Sequence, residues 1–164
     1  MSQIRIDIRA AIPQDVGVLA RARRLMFEEL DDFDAAILDR IDTEFVTYME
    51  QAMMEGRATG WIAEEAETGE WVGALANEWA RMPTNPHIAR ELRSLLFGLF
   101  VKPEYRRRGV ARSLVSVAVA AARDAGAGAV QLHASDVGRP LYESIGFTGT
   151  SEMRLIIGGQ DRPE

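Results

Sequence analysis

The chain has 164 residues, 47% of them hydrophobic, a formal net charge of −6 and no cysteine. That length suits one domain with a sizeable core, and the apolar content excludes a disordered chain. The absent cysteines exclude disulfides, thiolate catalysis and cysteine-ligated zinc, while the acidic balance argues against nucleic acid or an anionic membrane as a partner.

Ile4, Ile6 and Ile8 alternate with Arg5, Asp7 and Arg9, which predicts a half-buried first strand. Pro13 and Asp15 mark a helix start, and Val16, Leu19, Ala20, Arg23 and Phe27 carry its period to about Leu30. After the acidic stretch 31–34, a second helix begins at Ala35 or Thr43 and runs to Met54, before Gly56. Trp61–Glu65 and Trp71–Trp79 read as a hairpin around a Gly69 turn, and 81–93, with Pro83, Asn85 and Pro86, reads as a loop. Ser94–Val101 is an apolar strand stopped by Pro103, which cannot donate to a ladder. A helix follows Gly109 and ends at Gly126 and Gly128. Then come a strand over Ala129–Ala134, a short helix over Gly138–Ser144, a strand starting at Phe147 and a closing strand over Ser151–Ile157. The expected order is β-α-α-β-β-β-α-β-α-β-β: a mixed, mainly antiparallel α/β sheet with helices on both faces. Residues 1–157 are expected to form a single domain, with 158–164 a loose tail.

Between the apolar strand and the helix lies Arg106-Arg107-Arg108-Gly109-Val110-Ala111. Strand, basic glycine turn and helix together favour an anion. The first N–H groups of a helix are unpaired, its dipole is positive there, and glycine lets a ligand approach the backbone. Neither a P-loop nor a three-glycine dinucleotide fingerprint is present. What remains is Arg-x-x-Gly-x-Ala, preceded by Val-x-Pro-x-Tyr over Val101, Pro103 and Tyr105. This resembles the acetyl-CoA motif of the GNAT superfamily of N-acetyltransferases, and the element order matches that fold. A second segment, Leu141-Tyr142-Glu143-Ser144-Ile145-Gly146-Phe147, looks like the GNAT segment whose tyrosine stands near the thioester sulfur.

The resemblance implies acetyl-CoA as co-substrate, with Arg106, Arg107, Arg108, Gly109, Val110, Ala111 and Arg112 around its diphosphate. The strand end Leu99, Phe100 and Val101 would pair with the pantetheine arm, and Tyr142 would be the general acid. Alternatively Tyr142 packs with Leu141 and Ile145. Where the family usually has asparagine on the pantetheine, this chain has Ser135, with a shorter reach. The base is open between Glu78, His133 and a water chain. Phe27, Phe45, Tyr48, Met49, Met53 and Trp79 could line the acceptor pocket or simply be core. The acid run Glu28, Glu29, Asp31, Asp32 and Asp34 would attract an amine.

The implied reaction is transfer of acetyl to a primary amine, small or on a protein, by direct attack in a ternary complex. A non-catalytic acyl-CoA sensor is the alternative. His87 and His133 have no metal spacing, so no metal is expected. No apolar run spans a bilayer and the start is unlike a signal peptide, so a cytoplasmic location is expected. A homodimer is compatible with the sequence, which does not identify the oligomer.

Overall fold

The structure is a computed structural model and describes residues 4–158. Contacts divide the chain into two compact units, Met1–His133 and Ala134–Glu164.

The first unit holds five strands and three long helices. The strands are β1 (Ile6–Ala10), β2 (Ala58–Glu65), β3 (Trp71–Arg81), β4 (Leu92–Val101) and β5 (Ala129–Leu132), and they form one sheet in the order β1-β2-β3-β4-β5. The first three pairings are antiparallel and β4–β5 is parallel, so the expected mixed sheet is found. The helices are α1 (Val16–Leu30), α2 (Ala35–Met54) and α3 (Val110–Asp124). A short 3-10 turn, Pro13–Asp15, leads into α1. Of the two possible starts for α2, the chain uses Ala35, because the Asp34 side chain accepts the Ala36 N–H at 2.8 Å and caps the helix.

Strand alternation gives the sheet two buried faces. Ala58, Ile62, Ala74, Ala76 and Phe100 pack with Val16, Leu19, Phe45 and Met49 of α1 and α2. The opposite face, carrying Trp61, Val72 and Leu75, receives α3 through Leu114 and Val115. Two glycines allow close approach. A Cβ on Gly60 would stand 3.0 Å from Leu19, and one on Gly73 would stand 3.0 Å from the Phe100 carbonyl and 3.4 Å from Leu114. Leu114 is fully buried. Leu114→Ala is expected to cost about 2–5 kcal/mol of stability, read by urea unfolding.

Within β2–β4, three boundaries differ from the expectation. β2 begins at Ala58, because Thr59 and Gly60 already pair with Asn77 and Ala76. β3 continues to Arg81. β4 begins at Leu92, inside the expected loop, because Arg93 is anchored. Its guanidinium is buried and donates to the carbonyls of Arg90, Leu92 and Pro83. A buried cation satisfied by loop carbonyls is invisible to a hydropathy pattern.

The second unit holds α4 (Arg139–Ile145), ended by Gly146 at φ 111°. The strands expected from Phe147 and over Ser151–Ile157 are absent among the described residues. Met153, Leu155 and Ile157 are all exposed, at 94%, 84% and 92%. Alternation of apolar residues signals a strand only where a neighbour completes the ladder, and this segment has none in the described chain. Of the expected tail, residues 159–164 lie outside the described residues.

Candidate active site

β4 is paired along its whole length by β3 but only over Arg93–Leu96 by β5. From Phe97 to Val101 its other edge carries no strand among the described residues. The splay coincides with a bulge. Ala74 opposes Phe100 and Ala76 opposes Phe97, so β4 has one residue too many between them. Gly98 absorbs it at φ +67°, a conformation that favours glycine. The expected segment Leu99, Phe100 and Val101 is thus the unpaired edge. Phe100 and Val101 are buried and Leu99 is half-buried.

A tight turn leads from this edge to α3. Lys102 N–H returns to the Val72 carbonyl at 2.8 Å, and Pro103–Tyr105 form a 3-10 turn. Arg106 faces inward: its Nε donates to the Val101 carbonyl at 2.8 Å, and its guanidinium pairs with Glu29 at 2.6 Å. It therefore ties α1 and the turn to the end of β4. Arg107 stands at φ 62° and Gly109 at φ 80°, with Arg108 between them outside the left-handed region. Such alternation is the backbone form of anion-binding nests. Arg107 costs roughly 1–3 kcal/mol of local strain in that conformation. No side chain caps α3, its first turn contains no acid, and Arg112 adds a cation there. A Cβ on Gly109 would meet nothing within 4 Å. Val110 is buried and fixes the helix; Arg108 and Arg112 are exposed, and Ala111 is half-buried.

On the α1/α2 face of β3, Glu78 lies opposite Leu95, on the stretch of β4 just before the splay. The Tyr48 hydroxyl donates to Glu78 Oε1, and Arg57 stands 3.4 Å from the same oxygen. Oε2 has no partner among the described residues. The bond to Glu78 holds the Tyr48 phenol above its ordinary pKa, so Tyr48 stays a donor at neutral pH. His133 lies just past β5 and is exposed.

Two of the six residues of the expected acceptor wall are interior. Met49 is fully buried and Phe45 nearly so, both within the core. Phe27, Tyr48, Met53 and Trp79 retain exposure. Much of the acid run is also structural: Glu28 pairs with Arg24 at 2.8 Å, Glu29 with Arg106, and Asp34 caps α2.

In the second unit, the Ser135 Oγ accepts the Gly138 N–H at 3.1 Å and its carbonyl accepts the Arg139 N–H at 2.9 Å. The serine therefore builds the entry to α4, and its hydroxyl hydrogen is still available to donate. Tyr142 lies on α4, edge-on to Phe147 with ring centroids 5.8 Å apart. Burial raises its phenol above the ordinary value. Its hydroxyl has no hydrogen-bond partner among the described residues.

Sequence reasoning missed three features here. Arg57 and Tyr48 on Glu78 left no sequence signal. The bulge did leave one: Gly98 interrupts an apolar strand, which marks a bulge or a close approach. Arg23 left another, as a cation within the apolar stripe of α1.

The fold has known counterparts. The family model described as "Acetyltransferase (GNAT) domain" matches residues 28–156. Human N-acetyltransferase 8 is 38% identical over 105 residues, which is 59% of this chain and 41% of that protein. Human N-acetyltransferase 8B is 36% identical over 96 residues, 56% of this chain and 39% of that protein. The chain thus spans about two fifths of the length of these curated relatives. A solved GCN5-related N-acetyltransferase from Ralstonia eutropha JMP134 superimposes with a TM-score of 0.86 at 27% identity, covering 94% of this chain and all of that one. A predicted acetyltransferase from Clostridium acetobutylicum, solved with acetyl-CoA, gives 0.79 at 23% identity and covers 93% of this chain and 96% of its own. This chain belongs to the GNAT acetyltransferase family. It has the α/β fold of that superfamily.

Proposed function

We propose that this enzyme transfers the acetyl group of acetyl-CoA to a primary amine by direct attack, with both substrates bound. The observation that carries the reading is the start of α3. Its N–H groups have no side-chain cap, its first turn holds no acid, and the space at Gly109 is open. Such an end is unfavourable alone and favourable against a diphosphate. Since Arg106 is engaged by Val101 and Glu29, the charge facing the ligand falls to Arg107 and Arg108.

Acetyl-CoA would supply the diphosphate for this turn and an activated acetyl thioester. The open β4 edge over Leu99–Val101 would align the pantetheine arm as an added strand, and an N–H on that edge would donate to the acetyl oxygen. Ser135 would offer its hydroxyl hydrogen to the same arm. The acceptor nitrogen attacks the acetyl carbon, so a C–N bond forms as the C–S bond breaks. Glu78, held by Tyr48 and Arg57, takes the proton the nitrogen sheds, directly or through water. Tyr142 gives its hydroxyl proton to the departing sulfur, and its raised pKa keeps that proton in place at neutral pH. With no cysteine in the chain, an acetyl-thioenzyme is unavailable.

A small-molecule amine is the acceptor this reading favours. Among proteins with the same fold are an aminoglycoside N-acetyltransferase and an Arabidopsis thaliana glucosamine-6-phosphate N-acetyltransferase. Another is a ribosomal-protein-alanine N-acetyltransferase, whose acceptor is a protein amine.

Calorimetric titration with acetyl-CoA tests the cofactor half. Affinity should fall several-fold between about 0.05 and 0.5 M salt, because ions screen the attraction between arginine and phosphate. Arg108→Ala should bind more weakly and respond less to salt. Tight binding with no salt response in either protein would remove the turn from the phosphate site.

A further inference from the structure

Arg23 is the charge on the apolar stripe of α1, between the buried Ala20 and the half-buried Phe27. Its guanidinium carbon lies 4.7 Å from the centre of the Phe27 ring and 4.8 Å from that of Phe45. Its stem covers the bulge: Cβ and Cγ stand 3.6 and 3.8 Å from where a Gly98 Cβ would be. It thus sits on the α1/α2 face of β4, where the strand loses its β5 partner.

Arg23 is half-buried on an apolar stripe and yet has no anion paired with it among the described residues. Arg24, next to it, holds Glu28, Asp39 and Asp42 at 2.8, 2.6 and 2.8 Å. Arg9, Arg57 and Arg106 each have a carboxylate too. Arg23 makes no hydrogen bond or ion pair among the described residues. Asp42 is near enough to favour its charge, but that carboxylate is bonded to Arg24. Burial opposes the charge and lowers the pKa of Arg23. None of its nitrogens is an unpaired, fully buried atom.

We infer that Arg23 binds a carboxylate of the acceptor, so the amine acetylated here belongs to an amino acid or another compound with a free carboxyl group near its amine. The inference rests on the acetyl-transfer reading above. A planar guanidinium presents paired N–H donors that match a carboxylate, and partial burial strengthens that bond by excluding water. The two phenyl rings hold the guanidinium in place, and the half-buried Phe27 keeps some apolar surface exposed. The surrounding charge is mixed. Glu78 lies on the same face of the sheet, and Asp31 and Asp32 follow α1. That field disfavours a doubly charged phosphate and suits a zwitterion, whose ammonium offsets its carboxylate.

Matched acceptors test this. Phenylalanine and leucine would be compared with their carboxamides and with phenethylamine, following free thiol. Wild type should show kcat/KM at least about tenfold higher for the acids. In Arg23→Gln that ratio should collapse toward one through a rise in KM for the acids alone, and Arg23→Lys should restore part of it. Separately, N-acetylphenylalanine titrated into the protein saturated with CoA should bind wild type and lose at least tenfold in Arg23→Gln. If wild type acetylates acids and carboxamides equally, the inference is overturned while acetyl transfer stands. If Arg23→Gln only lowers the melting temperature and keeps the wild-type ratio, Arg23 is a packing residue and the inference fails. Absence of N-acetylphenylalanine binding to CoA-loaded wild type overturns it whatever the turnover. A protein that binds no CoA at all fails the parent reading instead.

Discussion

Tyr142→Phe should lower turnover by about 10²–10⁴-fold, the usual contribution of a general acid, while leaving the fold intact. The substitution keeps the ring that packs edge-on to Phe147 and removes only the hydroxyl. That hydroxyl has no protein partner among the described residues, so its removal leaves no orphaned donor or acceptor. The melting temperature and acetyl-CoA affinity should therefore stay near wild type. The direction of the Tyr142 pKa gives a second expectation. An acid must be protonated to act, and burial moves loss of that proton above the ordinary tyrosine value of 10.0. The alkaline fall in kcat caused by this group should thus lie above pH 10, and Tyr142→Phe should abolish that limb. A stable Tyr142→Phe protein with full activity would remove the proton-donor role. Joint loss of stability and activity would make the hydroxyl structural.

Filling the space at Gly109 should weaken acetyl-CoA binding at least tenfold, about 1.4 kcal/mol or more. Two variants separate the causes. Gly109→Val puts a β-branched residue at φ +80°, where such residues are rare, so it should also lower the melting temperature. Gly109→Asn is tolerated far better in that conformation. Its side chain enters space that no protein atom occupies within 4 Å. It should fold normally and still lose affinity. Unchanged calorimetric affinity in a folded Gly109→Asn protein would place the diphosphate elsewhere.

The basic glycine turn before α3 was legible in the sequence because its requirements are local. A left-handed position shows as Gly109, a helix start shows as periodicity after it, and the charge shows as a run of arginines. The roles within that run were not legible. Whether an arginine faces a ligand or the protein depends on partners distant in sequence, and Arg106 found Glu29 on another helix. The same limit explains Ser151–Ile157. Its alternation is local, but a strand also needs a neighbour. Glu78 was reachable as a carboxylate on a strand next to the central one, while its Tyr48 and Arg57 contacts depend on register. Register was unreadable at one further point: the bulge at Gly98, which sets Phe97 and Phe100 on one face and turns the β4 edge outward. Arg23 was visible as a cation on an apolar stripe, and only the rings of Phe27 and Phe45 show why it can stay there.

The most direct test of the account is a complete reaction. Purified protein, acetyl-CoA and a panel of primary amines, including amino acids, would be followed by free thiol and by mass spectrometry of the amine. The account predicts saturable thiol release matched one for one by N-acetylated amine, dependent on both substrates and lost in Tyr142→Phe. Tight acetyl-CoA binding without acetylated product from any small or protein amine would contradict it.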